Sequence, residues 1–255
     1  MTQSVIGAQM FTLRQHTQTE SEMIKTCKKV KKMGYDAIQV SAFGRIETSE
    51  LAKIFDGEGL VCAATHVSLE LMSDVNACVE YHEALKCKYP AIGGAEELHG
   101  SPSEMSYRMF AKRFSNIGAA LVQHGLKVGY HNHSHELAHF GGQVGLDILI
   151  EQTNPNVWFE IDTYWIVHGG GDPAAWIEKL KGRVPCIHVK DMTMTPKRQQ
   201  LMCEVGDGNL NWPRILDACR AAGVQWYLVE RDDGELDPFD SLRRSLENLR
   251  AMGLP

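Results

Sequence analysis

Three short segments of this chain end an apolar run with side chains that can bind metal or transfer a proton. They are Glu160-Ile161-Asp162, His188-Val189-Lys190-Asp191 and Val229-Glu230-Arg231. Side chains alternate along a strand, so Glu160 and Asp162 share one face. The same holds for His188 and Lys190. Carboxylate and imidazole ligands together suit a divalent ion such as Mn²⁺, Co²⁺ or Zn²⁺, so the sequence indicates a metalloenzyme.

A fourth segment concentrates three histidines and a carboxylate. It reads Tyr130-His131-Asn132-His133-Ser134-His135-Glu136. By alternation His131 and His133 share one face, and Glu136 follows in the loop, where we also expect His135 and His139. Beside the other three segments, this composition favours metal ligation and substrate hydrogen bonds over isolated structural histidines.

The inward-facing charges also have a purely structural explanation. Burying such a pair is costly unless it is hydrogen-bonded, ion-paired or bound to metal. A salt-bridge network between Lys190 and either Glu160 or Asp162 would meet this requirement without any catalysis. Covalent catalysis has no support, because the chain contains no GxSxG or similar nucleophile motif.

The elements that must position these residues alternate regularly between strand and helix. Apolar runs predict strands at 5–11, 36–42, 60–67, 90–94, 126–133, 157–164, 184–189 and 226–230. Helix signals between them include glycines after the first two helices, the Ser101-Pro102-Ser103-Glu104 capping pattern, and Asp172-Pro173. The third helix is expected around 71–85.

Eight such units in 255 residues predict an α/β fold, a single (β/α)8 TIM barrel that forms one domain over residues 1–255. Active sites of this fold lie at the C-terminal ends of the strands, where the four segments end. A doubly wound open sheet is the structural alternative. Its GxGxxG loop is missing, because Phe11-Thr12-Leu13-Arg14 follows the first strand.

Composition limits the partners that we expect. The net charge of −6 argues against nucleic acid, and no apolar run is long enough to cross a bilayer. The first residues lack a secretory signal pattern, which favours a cytoplasmic protein. Seven cysteines without a CxxC pair are expected to be reduced and mostly buried. Self-association as a homo-oligomer is compatible with the sequence.

The segment 192–210 is an unusually long connection between a strand and a helix. Loops of this length in a compact domain are often functional. Its glycines would let it close over a bound ligand, and a flexible solvated loop is an equally good interpretation.

Taken in order, five segments resemble the xylose isomerase-like TIM-barrel superfamily, and within it the sugar phosphate isomerase/epimerase type. They are Gly129-Tyr130-His131-Asn132-His133 with Glu136, Phe159-Glu160-Ile161-Asp162-Thr163-Tyr164-Trp165, Ile187-His188-Val189-Lys190-Asp191-Met192, Val205-Gly206-Asp207-Gly208 and Val229-Glu230. The resemblance implies one divalent ion held by residues of strands five to eight. By position, Asp162, His188 and Glu230 would be three of its ligands.

The resemblance leaves the strand-five ligand open. Many relatives have a glutamate where this chain has His131, so either His131 binds the metal or Glu136 reaches back to do so. Glu136 is the preferred ligand here, which would leave His131 as an acid or base that faces the substrate.

The implied activity is a metal-dependent isomerisation or epimerisation of a keto-sugar, by removal of a proton next to the carbonyl through an enediolate. The expected catalytic residues are Glu230, His131, Glu136 and Lys190. The residues expected to bind the small-molecule sugar are His66, Tyr130, His133, Trp165 and Phe11.

Loss of the strand-five glutamate puts simple epimerisation in doubt, so the same chemistry could end in elimination. The alternative is a lyase that dehydrates a keto-inositol or cleaves a 3-keto-glycoside. A non-catalytic sugar-binding barrel and a nuclease similar to AP endonucleases are more distant alternatives. The acidic composition argues against the nuclease.

Overall fold

The computed structural model describes residues 4–255 and contains a closed barrel of eight parallel strands. The strands are β1 (Val5–Gln9), β2 (Ala37–Val40), β3 (Val61–His66), β4 (Pro90–Ile92), β5 (Gly129–His131), β6 (Trp158–Asp162), β7 (Cys186–Val189) and β8 (Trp226–Val229). Each strand pairs with its neighbours in the sequence, and β1 also pairs with β8. The predicted (β/α)8 barrel is therefore confirmed. The prediction about a secretory signal involves residues 1–3, which lie outside the described residues.

Helices connect the strands around the outside of the barrel. They are α1 (Glu20–Met33), α2 (Thr48–Glu58), α3 (Leu69–Ser73), α4 (Val75–Ala84), α5 (Glu104–Leu121), α6 (Gly145–Gln152), α7 (Thr163–His168), α8 (Pro173–Lys179), α9 (Trp212–Ala222) and α10 (Pro238–Ala251). Short 3₁₀ segments lie at Met10–His16, Glu96–Leu98, Val122–His124 and His135–Leu137. Within residues 4–255, no helix has the length and apolarity needed to cross a membrane.

Local capping explains where several helices begin and end. Asp172 caps α8 and Pro173 occupies its first turn, as predicted. The predicted start of α5 was wrong: the cap is Ser103, whose hydroxyl accepts the N–H of Ser106, so Pro102 lies before the helix. The prediction of a single third helix around 71–85 is also wrong, because the structure has two helices there. Asp74 separates them, because its carboxylate caps α4 directly after α3 ends.

Small residues let a large aromatic side chain fill the lower part of the barrel. A Cβ atom on Gly129 would lie 2.2 Å from the Trp158 ring, so this position of β5 tolerates only glycine. Trp158 packs there with Ala37, Ala64 and Leu228 in an apolar layer. The next inward-facing residues along these strands are polar, and they form the layers between this apolar layer and the mouth of the barrel.

The connection after β7 is held in place by one buried carboxylate. It contains an antiparallel hairpin, Asp191–Met194 paired with Gln200–Cys203. The Asp191 carboxylate accepts the backbone N–H groups of Gly206 and Gly208 and the indole N–H of Trp212. The base of this segment is therefore anchored at Asp191, and the tip of its hairpin, residues 196–199, is exposed to solvent.

Candidate metal centre and active site

Four side chains meet at the C-terminal ends of β5 to β8. We call His131, Asp162, His188 and Glu230 the four-residue cluster, because one ligand atom of each lies within 4.8 Å of the others. Nε2 of His131 is 3.2 Å from Oδ2 of Asp162, and Nδ1 of His188 is 2.8 Å from Oε2 of Glu230. All four are buried. Strand alternation brings them together, because each occupies an inward-facing position.

The cluster has the donor set and the unsatisfied atoms that a divalent ion would use. Among the described residues, Nδ1 of His131 and Nδ1 of His188 are buried without a hydrogen-bond partner. Leaving such atoms unpaired costs about 1–3 kcal/mol each. Two imidazoles and two carboxylates are ligands that Mn²⁺, Co²⁺ and Zn²⁺ accept. The residues therefore fit a divalent ion.

Asp162 is fixed by the local structure at the end of β6. Its Oδ1 atom accepts the N–H of Trp165 and caps α7, which leaves Oδ2 for the cluster. Its own N–H donates to Oδ1 of Asn132 on the neighbouring segment. The strand predicted over 157–164 therefore ends at Asp162, because capping favours a helix from Thr163 onward.

Lys190 places a positive charge beside the cluster carboxylates. Its Nζ atom lies 2.6 Å from Oε2 of Glu230 and 3.0 Å from Oδ2 of Asp162. Asp232 also lies 3.0 Å from this ammonium group. Burial alone would lower the pKa of Lys190, but the three carboxylates raise it above its usual range. The salt-bridge network that we considered from sequence is therefore present between Lys190 and Asp162.

A second polar layer lies directly below the cluster. Nε2 of His188 is 2.6 Å from Oε1 of Gln39, whose amide nitrogen donates to both carboxylate oxygens of Glu160. Glu160 is also 2.6 Å from Nε2 of His66. Burial opposes ionisation of Glu160, but His188 and His66 hold its pKa well below the usual range. This layer orients the cluster from beneath.

Glu136 lies outside the four-residue cluster, so the sequence-based preference for it as the strand-five member needs correction. Its carboxylate accepts the hydroxyl of Tyr130 at 2.6 Å and the backbone N–H of His133 at 2.8 Å. Burial raises the pKa of Glu136 to about 7. His131 is the strand-five member of the four-residue cluster, because it is the last inward-facing residue of β5.

Tyr130 does not form a wall of the barrel mouth, contrary to our expectation. It is buried among Phe110, Phe114 and Phe159, with ring centroids 5.6 to 6.4 Å from theirs. Alternation explains this position, because its neighbour His131 points inward and Tyr130 must point to the helical layer.

The other predicted substrate residues lie around the mouth. His66 stands at the end of β3, with its ring centroid 5.2 Å from that of His131. The ring of His133 is 4.8 Å from that of His131 and 5.3 Å from that of Trp165. Phe11 follows β1 and lies under the guanidinium of Arg14, 4.2 Å from its ring centroid.

The sequence analysis missed two polar residues of this region. Gln39 is the only polar residue of β2, and this exception in a buried strand is a signal that could have identified it. Asp232 pairs with Lys190 two positions after Glu230. Burial and the charge of Glu230 raise the pKa of Asp232 to about 6.

A family profile described as xylose isomerase-like TIM barrel matches residues 27–252. The chain belongs to this family, which confirms the resemblance inferred from its motifs.

Two curated relatives align with part of the chain. The rhizopine catabolism protein MocC of Rhizobium meliloti is 22% identical over 163 residues, 57% of this chain and 50% of that protein. An inosose dehydratase of Clostridium tetani is 25% identical over 156 residues, which are 54% of this chain and 52% of that protein. The matched part of the chain thus spans about half the length of these relatives.

Two solved structures share the fold over nearly the whole chain. A sugar phosphate isomerase/epimerase from Parabacteroides distasonis has a TM-score of 0.82 at 23% identity, covering 99% of this chain and 96% of that one. The IOLI protein with a binding zinc atom has a TM-score of 0.73 at 13% identity, covering 97% of both chains. At these identities the likeness establishes a common fold.

Proposed function

We propose that this protein is a divalent-metal-dependent isomerase or epimerase of a keto-sugar. The observation that carries the proposal is the four-residue cluster, which gathers two imidazoles and two carboxylates at the mouth of the barrel. The isomerase/epimerase neighbour and the zinc of the IOLI structure support it. A divalent ion held by the cluster would polarise a substrate carbonyl and stabilise the negative charge that develops on its oxygen.

Glu230 is the base that removes the proton next to the carbonyl. Burial opposes its ionisation, but Lys190 and His188 hold the pKa of Glu230 below its usual range. The carboxylate is therefore ionised at neutral pH, the state in which it can accept a proton. The ammonium of Lys190, 2.6 Å away, stabilises negative charge on the enediolate that results.

His66 is the group that transfers a proton on another side of the substrate. Its Nε2 atom donates to Glu160, because a carboxylate can only accept, and Nδ1 is then the basic nitrogen. Since β3 and β8 are not adjacent in the barrel, His66 and Glu230 approach the pocket from different directions. An epimerase needs a second proton-transfer group besides Glu230, and we assign that role to His66.

Dehydration is the second candidate outcome, and one observation favours it specifically. His131 occupies the strand-five position of the cluster, which leaves Glu230 as the one cluster carboxylate that does not also cap a helix. The proton that Glu230 removes can be returned to the β-hydroxyl oxygen, which leaves as water, so this outcome needs no second carboxylate. The similarity to inosose dehydratases supports a keto-inositol as the substrate of this alternative.

Proton exchange in deuterated water tests the proposal. Wild-type protein loaded with Mn²⁺ is incubated with a panel of ketoses, keto-inositols and 3-keto-glycosides, and deuterium incorporation is followed by NMR. We expect exchange next to the carbonyl of at least one compound, and its loss in Glu230→Gln but not in the exposed-site control His124→Ala. A new stereocentre or shifted carbonyl identifies an isomerase, and an unsaturated ketone identifies a dehydratase. Equal exchange by wild type and Glu230→Gln would contradict the proposal.

A further inference from the structure

We propose that His133, His135 and Glu136 hold a second divalent cation, for which Zn²⁺ is the best match. We call these three residues the turn cluster, because they lie on the turn that follows β5. One ligand atom of each lies within 4.8 Å of the others. The turn cluster shares no residue with the four-residue cluster, so the two sites can be disabled independently.

The first argument is the full burial of the Glu136 carboxyl group, which is costly to ionise without a positive partner. Tyr130 and the backbone of His133 donate hydrogen bonds to it, but neither carries a positive charge. Among the residues that the structure describes, the only ion-pair candidate for this carboxylate is His135. A buried carboxylate is costly unless a cation accompanies it. A bound divalent ion would supply that charge.

The second argument is a pair of unused imidazole nitrogens. Nδ1 of His133 and Nε2 of His135 are buried and have no hydrogen-bond partner within residues 4–255. Nε2 of His135 lies 3.2 Å from Oε1 of Glu136, yet the contact does not have hydrogen-bond geometry. Two imidazoles with an unused nitrogen and a carboxylate, with ligand atoms within 4.8 Å of one another, are the donor set of a His₂Glu zinc site.

A further imidazole lies beside the turn cluster. The ring of His99 packs edge-on against that of His135, with 4.8 Å between centroids. His99 follows the 3₁₀ segment after β4, so it reaches the turn from a separate part of the chain. The three donors of the turn cluster would leave one position of a tetrahedral zinc ion open, and His99 is the histidine nearest to His135 from another part of the chain.

Zinc stoichiometry tests this proposal with the full-length protein. Equilibrium dialysis against Zn²⁺, followed by elemental analysis, is carried out on wild type, Asp162→Asn, His135→Asn and Glu136→Gln. His139→Asn is the matched control, because His139 is an exposed histidine four residues from His135. Circular dichroism establishes whether each variant is folded. If His135→Asn does not fold, Glu136→Gln tests the turn cluster in its place.

We expect about two Zn²⁺ ions per chain in wild type and His139→Asn, and about one in each of the other variants. One ion in wild type that disappears in Asp162→Asn and remains in the turn-cluster variants would overturn the second site. One ion that remains in Asp162→Asn and disappears in the turn-cluster variants would support the second site while contradicting the proposed centre at the strand ends. The failure of either proposal is therefore distinguishable from that of the other.

Discussion

Gln39 accepts a hydrogen bond from His188, with 2.6 Å between Oε1 of Gln39 and Nε2 of the imidazole. The amide cannot be reversed, because its nitrogen already donates to both oxygens of Glu160. Nε2 of His188 must therefore carry a proton, which leaves Nδ1 facing Glu230. A residue of β2 thus selects which nitrogen of a β7 histidine is available to a metal ion.

We predict that Gln39→Leu weakens binding of the ion at the four-residue cluster by about 10- to 100-fold, the usual effect of removing a partner that orients a metal ligand. The measurement is competition with a chelating dye, made on folded protein. Gln123→Leu, a substitution of an exposed glutamine, is the control and should leave the affinity unchanged. Equal affinities in the two variants would mean that Gln39 does not orient His188.

The substitution Tyr130→Phe tests whether Tyr130 stabilises the fold or contacts the substrate. The substitution removes the hydroxyl that donates to buried Glu136, so we expect the free energy of unfolding to fall by about 1–3 kcal/mol. Because Tyr130 faces the helical layer, KM for the sugar should not change. Urea denaturation and steady-state kinetics measure the two effects. A raised KM at unchanged stability would show that Tyr130 contacts the substrate.

Asp191→Asn should loosen the long connection after β7 without unfolding the barrel. The carboxylate accepts N–H groups through both oxygens: Oδ2 accepts those of Gly206, Gly208 and Trp212. Its Oδ1 accepts those of Met192 and Leu210, and an amide has only one oxygen that can accept. We expect faster hydrogen exchange and earlier proteolysis within 195–210, measured by mass spectrometry. Asp233→Asn, on an exposed turn, is the control. Unchanged protection of 195–210 would show that the hairpin alone orders this segment.

His82 should make stability depend on pH. It is buried, its Nδ1 lies 2.7 Å from the carbonyl of Cys78, and its Nε2 lies 2.8 Å from the Thr65 hydroxyl. Burial lowers the pKa of His82 from 6.5. The unfolded chain therefore binds a proton below about pH 6.5 that the folded chain does not, and stability falls as the pH is lowered through this range.

The corresponding variant is His82→Gln, which cannot be protonated. The variant should be less stable than wild type at pH 8. Between pH 6.5 and 5.5 its free energy of unfolding should fall less than that of wild type, and the two slopes should differ by up to about 1.4 kcal/mol per pH unit. Urea denaturation at each pH measures both slopes. Parallel slopes for the two proteins would exclude His82 as a source of the pH dependence.

The sequence was sufficient to predict the barrel and most of the four-residue cluster. Asp162, His188 and Glu230 end three apolar runs, and strand ends of a parallel barrel converge on one edge. The choice between His131 and Glu136 could not be made in this way. It depends on where β5 ends and on the Tyr130 hydroxyl that binds Glu136, and both are set by tertiary packing.

Contacts between distant segments were the other part that periodicity could not predict. Gln39 and Glu160 are 121 residues apart in the sequence, and only closure of the sheet brings their side chains together. The break at Asp74 and the start of α5 at Ser103 were missed for a local reason. Each segment offers more than one residue able to cap a helix, and the packed structure selects between them.

Anomalous X-ray diffraction from crystals grown with Mn²⁺ tests the central claim most directly, because it locates the ion relative to named atoms. We predict a peak among His131, Asp162, His188 and Glu230, within bonding distance of their nitrogen and oxygen atoms, and no peak there in crystals of Asp162→Asn. A wild-type map without such a peak at saturating Mn²⁺, with Lys190 still paired to Asp162 and Glu230, would contradict the account.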